Sequence, residues 1–131
     1  MAWNHSTLTL SLGWNANLES PNADFDRASS MNWPPGDVAY DKSDPADGPG
    51  YTLFMAHAPD TTAALHTPEP WDRDTCATAQ YGGDDNAPLH ANITAGRGLC
   101  FRPTDNNFYI LIKVVEQDSQ QITLDVTSWR R

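Results

Sequence analysis

Two extended-chain signatures follow one another near the C-terminus, and together they constrain the fold more than anything else in the sequence. Asn107-Phe108-Tyr109-Ile110-Leu111-Ile112-Lys113-Val114-Val115 is β-branched and aromatic, with no glycine or proline. In an extended chain its apolar side chains lie on both faces, which predicts a strand buried on both sides or nearly so. The polar stretch Glu116-Gln117-Asp118-Ser119 follows. Then Ile122, Leu124 and Val126 alternate with Gln121, Thr123, Asp125 and Thr127. A period of two sends one set to a core and the other to water. The two segments predict a β-hairpin in which Phe108, Ile110, Ile112 and Val114 share a core face with Ile122, Leu124 and Val126.

The N-terminus repeats the alternation. Leu8, Leu10 and Leu12 share one face of an extended segment and Thr7, Thr9 and Ser11 the other, and Gly13 marks a bend or bulge. Trp14 to Leu18 continues or pairs with this strand, Ser20-Pro21-Asn22 is a turn, and Asp24-Phe25-Asp26 is a candidate short strand. Brief strands are also expected at Val38-Ala39-Tyr40, at Tyr51-Thr52-Leu53-Phe54-Met55 and at Leu99-Cys100-Phe101-Arg102, the last ended by Pro103. Residues 29–36 and 41–50 read as loops, and Asp74 to Gln80 as one helical turn with Asp74 or Thr75 as its N-cap. Ten prolines and eight glycines leave little room for long helices. The expected fold is all-β: a single antiparallel β-sandwich over residues 1–131, with a small β-barrel as the alternative. At 131 residues the chain is long enough for one domain with one sizeable core.

Charge narrows the partners. Seventeen Asp and Glu against eight Lys and Arg give a net charge of −9. A nucleic acid needs clustered cations, and an anionic membrane surface needs them too, so neither is an expected partner. No apolar stretch approaches the roughly 20 residues of a membrane span. No basic and then apolar leader pattern opens the chain, so a signal peptide is not expected within it, and Met1 reads as an initiator ahead of a mature segment.

Cys76 and Cys100 are the two cysteines. Such a pair is a disulfide, a metal pair or two buried thiols. The C-x-x-C spacing of a metal site is absent, and the loop-rich segment between them would gain roughly 3 kcal/mol from a staple. A disulfide is the favoured reading, free core thiols the alternative, and a disulfide points to an exported protein. His5, His57, His66 and His90 show no metal or triad spacing and read as surface or half-buried residues. The acidic loops around Asp41, Asp44 and Asp47, and around Asp84 and Asp85, lack the calcium-loop spacing and read as solvated. No metal, cofactor or catalytic group is expected. Asn4-His5-Ser6 and Asn92-Ile93-Thr94 match the short N-glycosylation pattern.

Five tryptophans are many for this length. Trp33, before Pro34-Pro35-Gly36, and Trp71, after Pro68-Glu69-Pro70, fall where core packing explains a large ring less easily. With Tyr40, Asp37 and Asp72 they make the candidate ligand-binding set, with rings for stacking and carboxylates for accepting hydrogen bonds. The competing reading is that these rings plug the ends of the sandwich.

The C-terminal half also carries a resemblance. Cys76 with Ala77-Thr78-Ala79-Gln80-Tyr81, the run Gly96-Arg97-Gly98-Leu99-Cys100-Phe101-Arg102-Pro103-Thr104, the apolar strand Tyr109-Ile110-Leu111-Ile112-Lys113-Val114 and the ending Leu124-Asp125-Val126-Thr127-Ser128-Trp129 resemble a module of exported actinobacterial proteins. That module often forms the extracytoplasmic C-terminal part of serine/threonine-kinase-like receptors. Leu10-Ser11-Leu12-Gly13-Trp14 is similar to its opening; residues 29–70 are not covered, and Pro103 departs from the pattern. The resemblance implies an extracytoplasmic all-β module with bridged cysteines and brings no catalytic residues. The functional expectation is therefore a non-enzymatic extracellular binding or sensor module for an envelope glycan, a peptide or a protein. The alternative is an adaptor or structural subunit of a secreted assembly, joined through a strand edge.

Overall fold

A computed structural model of the chain describes residues 2–29, 37–42, 50–57, 60–82, 95–105 and 107–131, with the backbone alone at 89–90. Among the described residues, nine strands and one short helix run in the order β1 (Asn4–Ser11), β2 (Trp14–Ala16), β3 (Val38–Lys42), β4 (Tyr51–Met55), β5 (Thr62–Leu65), α1 (Arg73–Ala77), β6 (Leu89–His90), β7 (Gly98–Phe101), β8 (Phe108–Gln117) and β9 (Gln121–Arg130). They form two antiparallel sheets, one ordered β1-β9-β8-β7-β5 and the other β2-β3-β4-β6. The architecture is thus the expected sandwich and not a closed barrel.

The hairpin organises the larger sheet. β8 and β9 pair from Phe108↔Arg130 to Gln117↔Ile122, with a bulge between Val114 and Glu116. Their alternation delivers Ile110, Ile112, Val114, Ile122, Leu124 and Val126 to the space between the sheets, all at 0% exposure. Leu8 and Leu10 of β1, Leu99 and Phe101 of β7, and Val38, Tyr40 and Leu53 of the smaller sheet close the same core. Each fully buried side chain of this kind contributes about 1.5–3 kcal/mol relative to exposure. The chain changes sheets at Gly13, whose φ of +85° no β-branched residue would adopt comfortably.

Several local expectations shift. Asp24-Phe25-Asp26 is a tight turn and not a strand: Phe25 and Asp26 take φ values of 52° and 51° so that the Phe25 ring can enter the core. α1 begins two residues earlier than expected. Asp72 is its N-cap, accepting from Thr75 N at 3.0 Å while Asp72 N donates to Thr75 Oγ1 at 3.0 Å. β5 falls in a stretch that composition marks as irregular; pairing of Thr62–Leu65 with β7 makes it a strand. Cys76 and Cys100 are bonded, tying α1 to β7. Trp33, both acidic loops beyond Asp41, and the second glycosylation pattern lie outside the described residues. At the first pattern, Asn4 Nδ2 donates to Ser20 O at 3.0 Å and Asn22 O at 2.8 Å, so the nitrogen a glycan would need is already used.

Candidate functional site

The outer face of the five-stranded sheet follows from strand register. One row across it reads Leu65, Gly98, Lys113, Asp125, Thr7; the next reads Ala63, Cys100, Leu111, Thr127, His5. On the β1–β9 side the outward residues are polar. On the β5–β7 side they are small or apolar and need a cover. Residues 66–72 and α1 supply it, and a small outer core forms from Ala63, Cys76, Cys100 and Tyr109, with Leu65, Ala77, Tyr81, Leu111 and Trp129 packed around it. Tyr81 extends the cover by donating its hydroxyl to Cys76 O at 2.8 Å. β8 is therefore buried on both faces near Tyr109 and only on its inner face near Val115, which is 46% exposed.

Between the covered and bare halves runs a groove of about 420 Å³ lined by His5, Glu69, Pro70, Trp71, Leu111, Lys113, Asp125 and Thr127. Trp71 is its wall. The indole lies on Gly98, where a Cβ would fall on Trp71 Cζ3 and within 2.6 Å of Cη2, so any side chain at position 98 would displace the ring. Trp71 Nε1 donates to Thr67 O at 3.0 Å, fixing the ring's direction. Lys113 Nζ reaches both oxygens of Glu69, at 2.8 and 3.0 Å, and pins the crossing segment to β8. On the other bank His5 Nε2 meets Asp125 Oδ1 at 2.8 Å. Groove chemistry is thus an aromatic face, one hydroxyl, the Lys113–Glu69 ion pair and a His5–Asp125 hydrogen bond, both pairs partly exposed.

One further hollow adjoins it: of about 540 Å³, it shares Glu69 and Trp71 with the groove and adds Leu65, His66, Thr67, Pro68, Gly96 and Arg97. Another, of about 550 Å³, shares Leu65, His66 and Thr67 with that hollow and extends to Thr75, Thr78 and Gln80 of the α1 region. Among the described residues no group of three or more His, Cys, Asp or Glu is placed to hold a metal ion.

Of the candidate residues read from sequence, Trp71 lines this groove. Asp72 is adjacent, but its carboxylate is taken by the α1 cap, accepting from Thr75 N and Oγ1. Tyr40 lies in the brief strand expected at Val38-Ala39-Tyr40. It is on β3 with its ring fully buried between the sheets, and its hydroxyl donates to Asp118 O at 2.7 Å while accepting from Gln117 Nε2. Packing against Leu53 and the hairpin outweighs any surface role for this ring. Asp37 lies away from the groove, just before β3, where Asp37 Oδ2 accepts from Leu18 N at 3.0 Å. Burial pushes its carboxyl up to about 6 despite that bond, with the charge of Asp105 adding to the rise. Glu19 stands near both: burial, a hydrogen bond with Asp105 and the charges of Asp37 and Asp105 push it up to about 8. Sequence reasoning singled out neither Glu19 nor Asp105. It also missed His5, Glu69, Leu111, Lys113, Asp125 and Thr127; the signal present was the polar face of the alternating strands.

No helix among the described residues is long and apolar enough to cross a membrane. Compared with known proteins, the chain matches no family model, no curated protein and no solved structure.

Proposed function

We propose that the chain is a non-enzymatic binding module of the cell exterior that takes its ligand on the outer face of the five-stranded sheet, along the Trp71 groove. The observation that carries this reading is the indole held on Gly98 as the wall of a groove that also presents a hydroxyl, an ion pair and a His–Asp hydrogen bond to solvent. Fixed rings give contact area at low entropic cost, and half-solvated carboxylates and amines accept and donate hydrogen bonds without a large desolvation penalty. The His5–Asp125 pair is open to water, its side chains 60% and 42% exposed, and the hydroxyl beside it is that of Thr127 on a sheet face. A general base needs a nucleophile or substrate proton held within reach, and this arrangement favours recognition over turnover. The Cys76–Cys100 bond supports an extracytoplasmic setting, and so does the resemblance to exported actinobacterial modules.

The adaptor reading needs an accessible sheet edge. Arg27 Nη1 donates to Thr9 O at 2.8 Å across the outer edge of β1, which weighs against that edge as a docking strand. The test uses arrays of glycans and of peptides probed with the wild type, His5→Ala and Thr127→Val, each with its melting temperature. Reduced retention with an unchanged melt supports the groove. Retention unaffected by both substitutions overturns it.

A further inference from the structure

The groove and the neighbouring hollow share one ring, and that placement bears on the class of ligand. Both are lined by Glu69 and Trp71. Each volume falls in the roughly 300–1,000 Å³ range of small-molecule sites. We infer that the two hollows are adjacent subsites for a single oligosaccharide that spans Trp71, with one or more sugar units in each hollow. This inference rests on the binding reading above and deepens it.

Three observations favour a sugar chain over a peptide. The floor is the side-chain face of a sheet, formed by Leu111, Lys113, Asp125 and Thr127, and not a strand edge onto which a peptide backbone could hydrogen-bond. Both hollows are open to solvent and offer no deep apolar pocket of the kind that anchors a peptide's large side chain. The polar groups are complementary to neighbouring hydroxyls. Glu69 and Asp125 offer acceptor oxygens, Lys113 offers donor hydrogens, and both partners of the Lys113–Glu69 pair keep exposed side chains. The indole supplies the flat apolar surface on which the C–H face of a pyranose stacks.

Gly98 belongs to this site as a positioning residue. It touches no ligand, but its missing side chain sets the height of the indole above the sheet, and so the depth of both subsites.

The test is a printed array of glucose, N-acetylglucosamine, mannose, galactose and uronic acid oligomers of one to six units, with a peptide array beside it. Retention of at least one series should rise tenfold or more from one unit to three. Thr127→Val, in the groove, and His66→Ala, exposed in the other hollow, should each flatten that rise without lowering the melting temperature. A series retained equally at one unit and at three, or sensitive to only one of the two substitutions, overturns the two-subsite inference. Peptides retained in a Thr127-dependent way with no saccharide retained overturn it too, while leaving the groove as a binding site. Retention of neither class sinks both readings.

Discussion

The two faces of the five-stranded sheet are built from the same strands and bury their residues by different means. On the inner face β8 and β9 present aliphatic side chains to a second sheet, and exclusion of water from a large continuous surface stabilises them. On the outer face only part of the sheet is covered. The cover is one short helix and a crossing segment held by a disulfide, an ion pair and a ring laid on a glycine. The inner face needs only residues of the right size and polarity. The outer face depends on individual contacts, each separately breakable, and the groove sits where that cover stops.

The largest expected effect is on the inner face. Ile112→Ala removes a fully buried side chain, and chemical denaturation should show a loss of about 2–5 kcal/mol. Replacing both Cys76 and Cys100 with Ala should cost roughly 3 kcal/mol by the chain-entropy account. The sharper reading of that variant is by hydrogen exchange: protection should fall around α1 and β5 and persist in β8 and β9. Equal loss on both faces would erase the distinction between them.

Gly98→Ala comes next, at about 1–3 kcal/mol for forcing an atom into an occupied space. The cost should vanish in a Trp71→Ala background, because the clash is with that ring alone. A double-mutant cycle in which the two losses simply add would show that Gly98 matters for another reason.

Acid dependence separates the regions further, with a smaller effect. Glu19 and Asp37 have native values of about 8 and about 6, raised chiefly by burial above their ordinary 4.5 and 3.8. The folded chain keeps protons on these two groups that the unfolded chain has released, so the stability they contribute is full below their ordinary values and is lost as pH rises through about 6 and then about 8. Solvent at Glu19 and Asp105 moderates the effect. The urea midpoint at pH 5 should exceed that at pH 8.5, and Glu19→Gln should flatten the upper part of the decline. An unchanged profile in that variant would remove Glu19 as its source. The Gly98→Ala penalty should not change over the same range.

What could be read from the sequence divides along the same line. Ile122, Leu124 and Val126 announce their face through a local period, and the hairpin, the sandwich and its inner core follow from such patterns. The disulfide was readable from two cysteines lacking metal spacing. Thr62–Leu65 was not readable, since two alanines carry little strand preference and pairing with β7 decides their conformation. Phe25 reads as extended until the turn that delivers its ring to the core is seen. The groove was least legible. Trp71 stood out as a loop aromatic, but His5 and Asp125 lie 120 residues apart, and only the β1–β9 register makes them neighbours. Tyr40 misled for the converse reason: its flanks are loop-like, while its ring is taken into the core.

The crossing segment is secured at Glu69 by Lys113, at Trp71 by the seat on Gly98, and through α1 by the bond from Cys76 to Cys100. These anchors are all contacts within the chain itself, so the groove wall is preorganised. Little chain entropy is then left to lose when a ligand arrives, and the free energy of contact is not spent on ordering a loop. In calorimetric terms, association should carry the small heat-capacity change of covering one indole and its surroundings, and not the large one of coupled folding.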